Sequence, residues 1–239
     1  MRIVRAMTVF QLSFLPRLFP VNCYLVEEKD ELTLIDTALP NSADAILQAA
    51  AQIGKPITRI LLTHAHIDHV GGLDRLTAKL PQVPVHISRR DARLLSGDAA
   101  LEPGEPDTPI RGSLPKRLRT KADVLLAEGD RIGSLLAVAV PGHTPGSFAF
   151  LDTRNHALIA GDAFQTRGGV AVSGQLRPLF PFPALATWNR QAALESARKL
   201  RQLNPSLLAV GHGRILLEPQ AAMDRAIAEA ERNLAAAKR

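Results

Sequence analysis

The chain has 239 residues, 46% of them hydrophobic, with a net charge of +6 and a sequence pI of about 10.0. That apolar share excludes a disordered chain, the single cysteine, Cys23, excludes an internal disulfide, and no apolar run approaches the ~20 residues of a membrane span. One α/β domain over 1–239 is expected, cytoplasmic and without a membrane partner; the positive charge permits an anionic partner without demanding one, and composition leaves the oligomeric state open.

In chain order, Ile3 to Phe10, Asn22 to Glu28 and Leu32 to Asp36 read as strands, the last two joined by Lys29-Asp30. Pro40-Asn41-Ser42 stops the sheet, and Ser42 is placed to cap a helix from Ala43 to about Ile53 that Gly54 ends. Ile57 to Leu62 is a buried strand, followed by Thr63-His64-Ala65-His66-Ile67-Asp68-His69-Val70-Gly71-Gly72. Three of the seven histidines thus fall within six residues at the end of a strand.

Residues two apart in extended chain point the same way, so His64 and His66 can face one cation together. Asp68 and His69 follow where the chain turns, within reach of a second. Nitrogen and oxygen donors of this kind suit zinc, with iron or manganese as substitutes.

Leu73 to Leu80 reads as a helix, Val83 to Ile87 as a strand, and Ser88 as the cap of a helix from Arg89 to Leu95. From Gly97 to Lys121 four prolines, with Gly104 and Gly112, predict a long irregular loop whose second half carries Arg111, Lys116, Arg117, Arg119 and Lys121. Such a loop serves either as a substrate wall or as a solvated basic segment.

The second half repeats this plan. Asp123 to Leu126, Arg131 to Ile132, Leu135 to Val140, Ser147 to Leu151, Ala157 to Ala160 and Leu207 to Val210 read as strands. Leu185 to Leu203 and Pro219 to Ala237 read as helices, the latter with proline at its start. Two strand-rich halves, each ending in helices, imply two sheets face to face with helices outside. Three more candidate ligands sit at strand ends beside glycine: His143 in Pro141-Gly142-His143-Thr144-Pro145-Gly146, Asp162 in Gly161-Asp162, and His212 in Gly211-His212-Gly213.

From Asn22-Cys23-Tyr24-Leu25 through H-x-H-x-D-H to Gly211-His212-Gly213, the chain resembles the metallo-β-lactamase superfamily of hydrolases. The resemblance implies a four-layer αβ/βα sandwich with two metal ions in the cleft between the sheets, zinc in the first place. By motif position it implies His64, His66 and His143 on one ion, Asp68, His69 and His212 on the other, and Asp162 bridging. Such a pair turns a bridging water into a hydroxide that attacks a carbonyl, with Asp68 as the catalytic residue that orients it. Thr63 or Asp36 would fix an imidazole tautomer. His86 and His156 fall outside every motif.

The bridging carboxylate argues against antibiotic hydrolysis. Ala163 to Gly169 lacks the G-C-G-R run of glutathione thioesterases, and Ser147 and Phe164 stand where signalling lactonases of the superfamily carry histidine and tyrosine. The nearest resemblance is to uncharacterised bacterial metallo-hydrolases with S-R-R-D-A-R-L-L, here Ser88 to Leu95. A small-molecule ester, lactone or thioester is therefore the expected substrate, with Phe164, Arg167, Phe182 and Trp188 as candidate substrate-binding residues. The alternatives are a nuclease or phosphodiesterase using the basic loop, which the lack of a polymer-gripping domain disfavours, and an iron-dependent sulfur oxygenase using part of the ligand set.

Overall fold

A computed structural model describes residues 1–237; the last two residues of the expected 1–239 domain lie outside the described residues. The first sheet runs in chain order through β1 (Arg2–Ala6), β2 (Val9–Phe14), β3 (Val21–Glu27), β4 (Leu32–Ile35), β5 (Ile57–Leu61), β6 (Val85–Ser88) and β7 (Val124–Leu126). Its first four strands are antiparallel and β4 to β7 pair in parallel. Parallel pairing needs crossovers. Helix α1 (Ala43–Ile53) occupies the first of them, α2 (Ile67–Val70) and α3 (Leu73–Lys79) the second, and α4 (Arg89–Leu95) the third.

The second sheet is built from β8 (Arg131–Ile132), β9 (Leu135–Ala139), β10 (Phe148–Asp152) and β11 (Ala157–Ile159). A two-stranded ribbon, β12 (Phe164–Gln165) with β13 (Ala171–Val172), then intervenes. After α5 (Phe182–Ala186) and α6 (Arg190–Gln202), the chain returns to add β14 (Leu207–Ala209) in parallel to β11. It closes with β15 (Leu216–Leu217) and α7 (Gln220–Ala237).

Side-chain alternation explains the layering. On β3, Tyr24 and Val26 point into a core shared by both sheets, with Ile35, Leu61, Phe150 and Ile159. Their neighbours Cys23 and Leu25 point the other way, into a core with Ile46, Leu73, Leu76 and Leu94 of the first helical layer. On the far side, Val138, Ala149 and Leu158 meet Leu194, Leu200, Met223 and Ile227 of α6 and α7. The result is the four-layer sandwich expected from the sequence, helices outside and two sheets between.

Three expectations about elements need correction. The strand expected over Ile3 to Phe10 is a hairpin: Ala6 pairs with Val9, and Met7 takes φ +55 at the turn with no glycine to mark it. The helix expected over Leu185 to Leu203 is two helices, because Asn189 caps a new one by accepting from the Ala192 amide. Ser42 makes no side-chain cap; its hydroxyl donates to the carbonyls of Thr37 and Leu39, tying down the turn instead. Ser88, by contrast, does cap α4, and Gly54 ends α1 at φ +82. Among the described residues no helix is long and apolar enough to cross a membrane.

Candidate metal centre

β5 is an interior strand of the first sheet, flanked by β4 and β6, and its apolar end delivers Thr63-His64-Ala65-His66 before α2 begins at Ile67, with His66 in extended backbone. Asp68 and His69 follow on α2, His143 on the loop after β9, Asp162 after β11, and His212 after β14. All these segments meet at one rim of the sandwich. The donor atoms form three overlapping groups: His64, His66 and His143; Asp68, His69 and His212; and His64, His69 and Asp162. Within each, every donor lies within 4.8 Å of the others.

Asp162 faces both sides. Its Oδ1 is 3.4 Å from His69 Nε2, and its Oδ2 is 3.3 Å from His143 Nε2 and 3.2 Å from His212 Nε2. Gly211 makes room for it, since a Cβ there would sit 2.0 Å from Asp162 Oδ1. His64 Nε2, His69 Nε2 and Asp162 Oδ1 are buried with no hydrogen-bond partner. Each such atom costs about 1–3 kcal/mol unless something meets it. Three together, aimed at one another and all good metal donors, fit a cation-binding centre.

The outer nitrogens fix which nitrogen of each ring faces inward, where His66 Nδ1 and His143 Nε2 lie 3.0 Å apart. His69 Nδ1 pairs with Asp36 Oδ2 at 2.8 Å, and His64 Nδ1 with Thr63 Oγ1 at 3.0 Å. Thr63 Oγ1 itself donates to Asp36 Oδ2, so it accepts from His64. His212 Nδ1 donates to the Pro20 carbonyl at 2.7 Å and His66 Nε2 to the Arg111 carbonyl at 2.8 Å. His143 Nδ1 lies 3.0 Å from Ser173 Oγ, which meets Thr187 Oγ1, whose own hydroxyl donates to the Pro183 carbonyl. Each imidazole therefore presents its second nitrogen inward. Both sequence candidates for this role, Thr63 and Asp36, act in it; Ser173, Thr187 and the two carbonyls carried no sequence signal.

Electrostatics divides the cluster. Burial pushes His143 down to about 3 and His64 well below the ordinary imidazole value. Burial works against charge on His212 and His69 too, but the carboxylates outweigh it: Asp162 and Asp68 hold His212 up at about 10, and Asp162 and Asp36 raise His69. Asp68 is ionised for the reciprocal reason, its desolvation being overcome by His212 and His69.

A further strut is Asp91, fully buried on α4 inside the S-R-R-D-A-R-L-L stretch. It accepts from the Ala65 and Gly146 amides and Thr144 Oγ1, tying the His64–His66 segment to the His143 loop. Burial raises its carboxyl to about 6.

The centre opens into a cleft of about 360 Å³ lined by Phe19, Ile67, Phe182, Pro183 and Leu185, with Gly112 and Ser113 on one wall. The 97–121 segment is therefore a wall, pinned by the Arg111 carbonyl on His66, by the Ile67 amide on the Ser113 carbonyl, and by Asp74 on the amides of Arg119 and Thr120. None of its basic side chains lines the cleft.

Of the four expected substrate-binding residues, only Phe182 lines this cleft. Phe164 is fully buried in the core under α6 and α7, because its strand turns it inward. Trp188 is buried as well, its Nε1 donating to the Thr108 carbonyl and so anchoring the wall rather than facing a substrate. Arg167 points elsewhere, donating to the Arg17 carbonyl beside a separate groove. Phe19, missed from sequence, contacts Phe182 with ring centroids 4.9 Å apart.

A family model described as the metallo-beta-lactamase superfamily matches residues 16–212. The uncharacterized protein YobT of Bacillus subtilis (strain 168) is 59% identical over 97% of this chain and 100% of its own length. The probable metallo-hydrolase YflN of the same organism is 31% identical over 80% of each chain. Among solved structures, TTHA1623 in a di-iron-bound form aligns with a TM-score of 0.64 and 29% identity, covering 89% of this chain and 96% of that one.

Proposed function

The chain belongs to the metallo-beta-lactamase superfamily of metal-dependent hydrolases, and on that premise we propose that it hydrolyses a small-molecule ester, lactone or thioester with an apolar portion, using two metal ions. The observation that carries this reading is the trio of unpartnered buried atoms, His64 Nε2, His69 Nε2 and Asp162 Oδ1, at the meeting point of the donor groups. His64, His66 and His143 would hold one cation, Asp68, His69 and His212 the second, and Asp162 would reach both. The donor set suits zinc, and iron is the alternative that the di-iron form of TTHA1623 suggests. Bound there, two cations lower the pKa of water towards neutrality and polarise a carbonyl oxygen.

The chain's own groups supply the rest. Asp68 is the candidate ligand left partly open, and it lines the cleft. Its Oδ2 faces His212 Nε2 at 3.4 Å, which leaves Oδ1 to orient a water and accept its proton. Phe19, Ile67, Phe182 and Leu185 exclude bulk water and seat the apolar part of the substrate. Among the described residues no lysine or arginine lines the cleft, which disfavours a phosphodiester or nucleic acid.

A panel of p-nitrophenyl esters, lactones, thioesters and phosphodiesters, assayed on zinc-, manganese- and iron-loaded protein, tests the reading. Turnover within the first three classes, rising with acyl chain length, is expected. Turnover confined to phosphodiesters overturns it, and one iron per chain at full activity would point to the oxygenase instead.

A further inference from the structure

A second concavity of about 1090 Å³, separate from the cleft, lies between the β1–β2 hairpin, the loop after Gln165 and the segment after His212. Four guanidinium-bearing residues line it: Arg2, Arg17, Arg167 and Arg214. Among the described residues no aspartate or glutamate does.

Among the described residues none of these four arginines has a carboxylate within salt-bridge distance, whereas Arg90 has Glu105, Arg154 has Asp152 and Glu28, and Arg177 has Glu229. Four cations lining one concavity without a carboxylate among them make it electropositive, which favours a counter-charge from outside the chain. The floor is polar as well: Gln11 and Ser13, 3% and 6% exposed, lie beneath them. Gln11 Nε2 is spent on the Gly213 carbonyl and Ser13 Oγ on Asn22, so the floor is ordered before any ligand arrives.

We propose that this groove is an anion-binding site for a ligand bearing two or more phosphate or carboxylate groups, clamped by Arg17, Arg167 and Arg214 with Arg2 from the opposite hairpin. Guanidinium forks grip such oxygens in pairs, which a groove of this size allows more than once along one ligand. The position gives the site a link to the metal centre. Pro20, whose carbonyl orients His212, lines the groove, and so does Gly213, whose carbonyl is held by Gln11 and Asn22. A bound anion lies against the peptides that set the His212 ring. The proposal stands apart from the identity of the hydrolysed substrate.

The same phosphate chemistry has two sources, a soluble metabolite and a lipid headgroup. The second is worth an arm because Leu18, beside Arg17, is 82% exposed. Metal-loaded full-length protein is titrated calorimetrically with fructose 1,6-bisphosphate, and separately co-sedimented with phosphatidylcholine vesicles with and without phosphatidylglycerol. Arg17→Ala and Arg214→Ala are compared with Lys116→Ala/Arg117→Ala, which removes charge from residues that do not line the groove. Saturable binding of either probe, weakened about tenfold by each groove variant and unmoved by the control, is expected, and the probe that binds identifies the source. Absence of binding to both probes overturns the proposal, as does binding that groove and control variants weaken equally or that the groove variants leave unchanged.

Discussion

Asp36 Oδ2 lies 2.8 Å from His69 Nδ1 and also accepts from Thr63 Oγ1, the atom that meets His64 Nδ1. One buried carboxylate thus sets two imidazoles, one from the group with His66 and His143 and one from the group with Asp68 and His212, that also meet in a shared group with Asp162. Asp36 holds this position at φ +60, a backbone conformation that non-glycine residues adopt at a cost, and its Oδ1 takes the Thr63 amide as well. Backbone strain at the end of β4 is tolerated where it orients ligands.

Asp36→Ala should therefore weaken metal binding by about 10- to 100-fold, the range for lost outer partners of ligating histidines. Competition with a chromophoric chelator measures it. Affinity equal to wild type would show that the two rings hold their tautomers without Asp36.

Gly112 packs against the metal centre so closely that a Cβ would lie 2.2 Å from His66 Nε2, and its φ is +90. Gly112→Ala should displace the Arg111 carbonyl from His66 and lower turnover by about tenfold or more. Gly104→Ala is the matched control, since Gly104 has the same φ of +90 and nothing within 4 Å. Equal losses in both variants would mean that backbone strain in the loop, not contact with His66, matters.

The carboxylates around His212 give the metal-stripped protein a pH signature. Its imidazole is raised from 6.5 to about 10, so the stability that its proton contributes is complete below 6.5 and is lost as pH climbs through 10. Thermal midpoints of stripped protein should fall by roughly 10 °C across that window, and His212→Asn should remove part of the fall, His69, raised for the same reason, carrying the rest. Because bound cations replace the protons on His69 and His212, metal binding at pH 7 should release about two protons, measurable by calorimetry in buffers of different ionisation enthalpy. A flat midpoint profile with no proton release contradicts this.

Two phenylalanines separate cleft from core. Phe182 is half exposed at the cleft, so Phe182→Ala should raise KM for apolar substrates with little change in the thermal midpoint. Phe164 is fully buried, so Phe164→Ala should cost about 3–5 kcal/mol of stability. Chemical denaturation and steady-state kinetics distinguish them, and the reverse pattern would exchange their roles.

The parts of this fold that sequence makes legible are those in which local pattern and tertiary need coincide. Ile60 to Leu62 is apolar because both faces of the chain are buried there, and the histidines after it alternate so that His64 and His66 reach the same centre. Glycines beside His143, Asp162 and His212 register close approach, as Gly211 shows against Asp162. Illegible were features settled by distant partners. Nothing in Met7 announces a left-handed turn, and nothing in Phe164 distinguishes a core ring from a cleft ring. Likewise Arg111 contributes its carbonyl, which every residue possesses, rather than the charge that made it noticeable.

The central claim is a pair of cations acting together on water between the two triads. Metal-stripped protein titrated with zinc or ferrous iron, with hydrolysis of a responsive ester, lactone or thioester followed at each addition, tests it most directly. Activity that is absent before addition, rises to a plateau at two equivalents per chain, and is lost in His66→Ala is the predicted result. Undiminished activity in the stripped protein, or a plateau at one equivalent, would contradict it.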